Sequence, residues 1–254
     1  MIPRINKDKI TSLLDDPGTE VYVFSSIGST NNYGRDLLAQ GNEVPAVILA
    51  EEQTAGRGRR GHSFFSPDSG FYYTYIYRPE DAEKAIRYAT ICTAVAAVEA
   101  IDQWCGIQVS VKWVNDLFYR QRKIAGILCE APRRPDGELS GIVIGIGINC
   151  FAQDFPEELR DIAGTLELDD GDRSVLAGIL TNRLAYRLNH IGEELLEAYR
   201  RYSLILGKQV SFQRESQIYT GIAAEINDEG NLIVECGDER YLLNSGEISL
   251  LSWE

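Results

Sequence analysis

The sequence predicts an α+β protein in which a mixed β-sheet with packed helices occupies residues 1–205 and a small β barrel occupies residues 206–254. Strand-length apolar runs alternate with helix-length segments through the first part, the pattern of a mixed domain. From Leu206 the pattern changes to short alternating segments: Val210 and Phe212, Ile222 and Ile226, Leu232 and Val234, Tyr241 and Leu243, Ile248 and Leu250. Turns at Asn227-Asp228-Glu229-Gly230 and Gly237-Asp238 separate them, as in a small barrel. With 254 residues, 44% hydrophobic and 25% charged, the chain can build one sizeable core with a small domain attached.

Taken in order, residues 5–14 suit a short amphipathic helix, closed by Asp15-Asp16-Pro17-Gly18, and Val21-Tyr22-Val23-Phe24 suits a first strand. Ser25 to Asn32 then leads into a helix that runs to about Gln40 and stops at Gly41. Ser29, Thr30 and Asn31 suit amino-terminal caps; they also suit a seat for a polar head group beside free helix N–H groups. Residues 44–50 form a strand that delivers Glu51-Glu52-Gln53 into a long connection, and the aromatic-rich segment 70–77 forms the next. Over 81–104, Ala85, Tyr88, Cys92, Val95 and Ala96 recur at helical spacing. Ile107, Val109 and Val111 alternate as a strand ending in Lys112-Trp113-Val114-Asn115-Asp116. Residues 117–119 and 123–130 make a hairpin with Gly126 inside its second strand, where glycine weakens pairing and admits a ligand. Residues 142–149 read as a buried strand, with Gly145 and Gly147 serving either tight packing or close ligand approach. Residues 151–173 are irregular and acidic. Ser174 then caps one long helix to about Tyr199, with Leu176, Leu180, Leu184, Leu188, Ile191 and Leu195 on one side.

Charge and cysteine usage narrow the function. Lys and Arg total 25 against 38 Asp and Glu, a formal net charge of −13 that argues against broad attraction to nucleic acid or an anionic membrane. Cys92, Cys105, Cys129, Cys150 and Cys236 are odd in number and contain no close pair, so neither a zinc cage nor a disulfide framework is suggested. The amino terminus has no apolar signal-like run, and no stretch approaches the ~20 apolar residues of a membrane span. The expected location is the cytoplasm.

Against that acidic background, Gly56-Arg57-Gly58-Arg59-Arg60-Gly61 places three glycines and three arginines in six residues. Glycine lets the backbone approach a ligand, and arginine offers a planar fork of donors to phosphate or carboxylate oxygens. A solvated surface loop and an RNA-binding segment are the competing readings. Ser63-Phe64-Phe65-Ser66-Pro67 follows, with rings for a ligand or for burial beneath the loop.

Together Ser29-Thr30-Asn31, the 56–61 loop, Lys112-Trp113-Val114-Asn115-Asp116, Arg122-Lys123-Ile124-Ala125-Gly126 and Gly145-Ile146-Gly147-Ile148-Asn149 make the sequence resemble the biotin protein ligases along essentially its whole length. The resemblance implies a fold like that of biotin ligases and class II aminoacyl-tRNA synthetases, followed by an SH3-like barrel. It implies ATP, magnesium and biotin as substrates and activator, and a biotin carboxyl carrier protein as partner, with neither nucleic acid nor membrane. It also implies that Ser29, Thr30, Asn31 and Gln53 hold the biotin head group, with Arg57, Gly58 and Arg59 folded over its carboxylate and the adenylate phosphate. Gly126 would let the strand lie against biotin. Lys123 would be the principal catalytic residue, aided by Arg57. Arg60, Phe64, Lys112, Asn115, Asp116 and Asn149 fall on the nucleotide side, Asp116 near magnesium without a firm metal set.

Two positions depart from the family pattern: Phe64 stands where tryptophan is usual, and Val114 where proline is usual. Phenylalanine keeps a stacking face and loses the indole donor, so weaker adenylate retention is expected. About twenty residues precede the first strand, too few for the amino-terminal DNA-reading domain of some members; the expectation is the monofunctional form. An exposed sheet edge could pair with a second copy or with the carrier. The rivals are a lipoate or octanoate ligase of the same superfamily, a non-catalytic biotin or nucleotide binder, and a single-stranded RNA binder that the acidic tail argues against.

Overall fold

The computed structural model describes residues 2–214, 216–244 and 248–251. Seven strands form a mixed sheet: β1 (Glu20–Ile27), β2 (Ala46–Gln53), β3 (Gly70–Tyr77), β4 (Ser110–Lys112), β5 (Asp116–Tyr119), β6 (Arg122–Glu130) and β7 (Ile142–Asn149). Their order is β1-β2-β3-β7-β6-β5-β4, with β1 and β2 parallel and every other pair antiparallel.

Alternation across this sheet decides what each face can do. In β7, Ile142, Ile144, Ile146 and Ile148 all join the main core, which leaves Val143, Gly145, Gly147 and Asn149 on the opposite face. Four helices bury the isoleucine face: α1 (Lys7–Leu13), α3 (Ala82–Cys105), α4 (Arg173–Asn189) and α5 (Glu193–Arg201). The other face is covered by α2 (Thr30–Ala39) over a small cluster of Leu38, Ala46, Ile48, Ile76 and Val143. Helix α2 begins at Ser29, whose side chain accepts from the Asn32 N–H, and Gly41 follows its end at φ 91°.

Two expectations are corrected here. The helix expected to run from Ser174 to Tyr199 is two helices, α4 capped by Asp172 and α5 entered through an extended Gly192. The leucine spacing continues because both helices turn an apolar face to the same core, while Gly192 followed by Glu193 and Glu194 restarts a helix amino terminus. The strand expected from Ile107 shrinks to Ser110–Lys112. There the Val111 N–H donates to the Tyr202 carbonyl and the Leu204 N–H donates to the Val111 carbonyl, so the chain after α5 lines that edge.

Beyond α5, β8 (Gln209–Arg214), β9 (Gln217–Ile226), β10 (Leu232–Cys236), β11 (Glu239–Leu243) and β12 (Ile248–Leu250) form an antiparallel sheet in the order β11-β10-β9-β8-β12. Residues 215, 245–247 and 252–254 of the expected barrel lie outside the described residues. The sheet is tied to the larger unit through its 227–230 turn: Trp113 Nε1 donates to the Gly230 carbonyl at 3.0 Å, and Arg200 donates to the Ile226 carbonyl and the Asp228 carboxylate.

Asp172 joins α4 to α1 by capping Ser174 N–H and pairing with Lys9 at 2.7 Å. Burial alone would raise its carboxyl, but the hydrogen bonds from Lys9 and Ser174 outweigh burial and hold it below the usual aspartate range. A lowered native value gives stability fully present above about pH 4, the unfolded value, and lost as pH falls through the native one. Asp172→Asn should therefore flatten the acid limb of a thermal-unfolding profile taken between about pH 2 and 6. An acid limb identical to that of the unmodified protein would contradict this role.

Candidate functional site

On the face left open by α2, period-two alternation brings Gly126, Leu128 and Glu130 of β6 beside Gly145 and Gly147 of β7. Gly126 pairs with Gly147, so two adjacent strands meet there without side chains. A Cβ on Gly147 would sit 2.5 Å from Phe64 Cε1, and one on Gly145 would sit 2.0 Å from Asn31 Oδ1. The glycines are thus occupied space: the Phe64 ring lies over one, and the Asn31 amide over the other.

The 54–66 connection folds over this strip. The Phe64 N–H donates to the Gly56 carbonyl and the Gly58 N–H to the His62 carbonyl at 2.7 Å, while Arg60 takes φ 53° and Gly61 φ 82°. Phe64 lines two neighbouring cavities. The smaller, of about 20 Å³, is bounded by Ser29, Thr30, Asn31, Gln53, Arg57 and the glycines 126, 145 and 147. The larger, of about 410 Å³, is bounded by Arg57, Gly58, Arg59, Arg60, Lys112, Asn115, Asp116, Lys123 and Gly126, and on its far side by Ile248 and Ser249 of the small sheet.

A bulge in β6 explains why Lys123 and Gly126 share the larger cavity. Leu117 pairs with Ala125 and Phe118 with Lys123, so Ile124 is skipped, and residues three apart in the chain reach the same face. Lys123 Nζ lies 2.7 Å from Asp116 Oδ1, an ion pair set off the hydrogen-bond direction. Arg59 Nη1 donates to Asn115 Oδ1 at 2.9 Å, and Asn115 Nδ2 donates to the Ile127 carbonyl. Lys112 Nζ stands 5.4 Å over the Phe118 ring. The Trp113–Val114 peptide is cis, and the buried Tyr199 hydroxyl, its acidity suppressed by desolvation, donates to the Val114 carbonyl.

Head-group candidates form one hydrogen-bonded wall. Gln53 Oε1 accepts from the Thr30 N–H at 2.9 Å, Gln53 Nε2 donates to Ser66 Oγ, and Ser66 Oγ donates to the Phe64 carbonyl. Thr74 Oγ1 lies 2.7 Å from Asn31 Oδ1 and 2.8 Å from Thr30 Oγ1. Asn149 stands apart from this group: it lines neither cavity, and its Nδ2 donates to the Gly164 carbonyl. Sequence reasoning passed over Glu130, Thr74, Ser66 and Asn32. Glu130 pairs with Arg57 at 3.0 Å, and Asn32 accepts from the same guanidinium at 2.9 Å. A lone glutamate closing a strand and a threonine between tyrosines carry no motif; the period-two register with Gly126 and Gly145 was the available signal.

Among the described residues Asp116 is the one carboxylate lining the larger cavity, and no group of three His, Cys, Asp or Glu able to hold a metal occurs among them. That donor set fits magnesium carried largely by a substrate's phosphates. Burial raises the Cys129 thiol to about 11 and the Cys92 thiol to about 12, so neither offers a thiolate nucleophile at neutral pH. A further cavity, of about 830 Å³, lies elsewhere, between the α1–β1 turn, the start of α3 and the end of α4.

Glycine strips on a mixed sheet, a donor-rich helix start and a loop of arginines thus converge on one face of the sheet. The chain belongs to the biotin/lipoate A/B protein ligase family, whose model matches residues 23–149. A second model, the biotin protein ligase C terminal domain, matches residues 205–251. Among curated proteins it is 30% identical to the biotin–[acetyl-CoA-carboxylase] ligase of Mycobacterium tuberculosis, over 89% of this chain and 87% of that one. It is also 30% identical to the bifunctional ligase/repressor BirA of Bacillus subtilis, over 92% of this chain and 74% of that one. Among solved structures, the biotin protein ligase of Aquifex aeolicus in complex with biotin and ATP superposes with a TM-score of 0.77 at 26% identity, covering 91% of this chain and 98% of that one.

Gly145→Ala tests the packing of the wall. The new methyl would have to displace Asn31, and overpacking of that kind costs about 1–3 kcal/mol. The expected outcome is a loss of biotin affinity of at least about tenfold by calorimetry, with an unchanged far-UV spectrum. Undiminished affinity would show that the place of Asn31 is immaterial.

Proposed function

We infer that this protein is an ATP-dependent biotin ligase, which activates biotin as biotinyl-5′-AMP and transfers it to a specific lysine of a biotin carboxyl carrier protein. Family membership, the similarity to named biotin ligases and the likeness to a biotin- and ATP-bound ligase support that reading. The match to a biotin ligase carboxyl-terminal model favours biotin over lipoate or octanoate. The observation that carries the mechanism is one cavity bounded by Arg57, Arg59 and Lys123 and adjoining a wall of hydrogen-bonding side chains.

In the first step a biotin carboxylate oxygen bonds to the α-phosphorus of ATP and the bond to pyrophosphate breaks. No protein nucleophile is required. Both reactants are anionic, so the enzyme's work is to hold them in line and offset charge that grows on the phosphate oxygens. Lys123 and Arg59 face the cavity where those oxygens would lie, and Arg57 spans both cavities. Asp116 would hold magnesium, which when bound supplies further charge compensation to the phosphates. In the second step the carrier's lysine amine attacks the acyl carbonyl of the mixed anhydride, AMP leaves, and an amide remains.

Thr30, Asn31 and Gln53 are proposed to receive the head group, Gly58 to bring the loop backbone close, and Gly126 to let biotin lie on the sheet. Ser29 already serves as the α2 cap, so its part is to hold that wall. A cavity of about 20 Å³ is too small for a bicyclic head group, so biotin entry requires the Phe64 ring to leave Gly147. The displaced ring would then be free to stack on the ligand. A cytoplasmic location is part of this reading, supported by five free cysteines and by the lack, among the described residues, of any helix long and apolar enough to cross a membrane.

Purified protein with magnesium should catalyse ATP–pyrophosphate exchange that depends on biotin and not on lipoate or octanoate. Lys123→Ala should lower that exchange by about 10²–10³, the usual loss for one donor to a developing oxyanion. Exchange driven by lipoate would move the assignment to the sister ligases. Exchange unaffected by Lys123→Ala would remove that residue from the chemistry.

A further inference from the structure

Glu130, at the end of β6, gathers three partners, one from the 54–66 connection and two from α2, although its side chain is only 20% exposed. Oε1 lies 3.0 Å from Arg57 Nη2, and Arg57 Nη1 donates to Oε2 at 3.2 Å, so the loop arginine is held by both oxygens. Asn31 Nδ2, from the first turn of α2, donates to the same Oε2 at 3.1 Å. Arg35 Nη1 stands 3.7 Å away. The carboxylate therefore ties the basic loop to the wall of the small cavity.

Its grip on Asn31 is directional. A carboxylate accepts only, so it selects the amide orientation that turns Nδ2 toward Glu130 and the Leu128 carbonyl and Oδ1 toward Thr74. From Asn31 Oδ1 the contacts run on through the Thr74 hydroxyl, which donates there, to Thr30 Oγ1 at 2.8 Å; the Thr30 N–H donates to Gln53 Oε1, and Gln53 and Ser66 carry the bonds to the Phe64 carbonyl, which lies in the same loop as Arg57. The network thus leaves the loop at Arg57 and re-enters it at Phe64, with Glu130 as its one anionic member.

We propose that Glu130 is a positioning residue for biotin activation: it fixes Arg57 and orients Asn31 together, so that the wall receiving the head group and the arginine receiving the carboxylate are set by one anion. This rests on the biotin ligase reading of the site. In a glycine-flanked loop an unheld arginine samples many rotamers, and substrate binding would then have to order it. Glu130 does that ordering beforehand while leaving Arg57 Nε for the ligand.

Three variants separate the parts. Glu130→Gln keeps shape and an acceptor for Asn31 but loses the charge that holds Arg57; Glu130→Ala loses both; Glu130→Asp keeps the charge on a shorter arm. The expected KM for biotin in pyrophosphate exchange rises about tenfold in Glu130→Gln, more in Glu130→Ala, and less in Glu130→Asp, as loss of one charge-assisted pair implies. KM for ATP should rise less than KM for biotin throughout, since Arg59 and Lys123, which also face the phosphates, do not touch Glu130. Tryptic cleavage at Arg57 to Arg60 of the ligand-free protein should quicken in Glu130→Gln. An unchanged biotin KM with unchanged cleavage would overturn the proposal, and so would a lowered biotin KM, which would mean that Glu130 competes with the substrate. Should the unmodified protein show no biotin-dependent exchange, the ligase reading fails; the cleavage comparison then still decides whether Glu130 holds Arg57.

Discussion

The site depends on the pleat of β6 and β7, which sends isoleucines to one face of the sheet and hydrogen atoms to the other. Ile144, Ile146 and Ile148 lock β7 into the main core, and Ala125 and Ile127 do the same for β6, so Gly145 and Gly147 cannot yield when something presses on them from the open face. A flexible loop alone could not give a defined site. A rigid strip beneath it can, and Phe64 and Asn31 already use it.

The charges are arranged on the same plan. Three of the cations expected to meet substrate have resident partners: Arg57 has Glu130, Lys123 has Asp116, and Arg59 has Asn115 Oδ1. In a chain with net charge −13 this concentrates cations where an anion is to react without making the whole surface attractive to polyanions. These pairs are partly exposed, with Lys123 and Asp116 at 32% and 23%, so each holds a side chain in place at small energetic cost to exchange. The trapped product, a mixed anhydride, needs shelter from water, and the connection that carries the arginines is also the one that covers the glycine strip.

Much of this was legible in the sequence because period and composition carry it. The aromatic run of β3, the helical repeat of α3 and the switch to short alternating strands after Leu206 each reflect a face that must be buried. The α4–α5 break was hidden, since the leucine spacing continues across it and only Gly192 with two following glutamates marks it. Within the site, the arginine loop and Lys123 stand out by type and setting. Glu130 and Thr74 do not: they act through strand register, which places them next to Asn31 from β6 and β3. Asn149 closes the glycine strand in sequence, yet its amide turns toward Gly164 and away from both cavities.

The most direct measurement is mass spectrometry of a biotin carboxyl carrier domain incubated with this protein, magnesium, ATP and biotin. The expected result is one biotinyl group on a single lysine, absent without ATP and not replaced by lipoate or octanoate. A carrier of unchanged mass, or one acylated by lipoate in preference to biotin, would contradict the central claim.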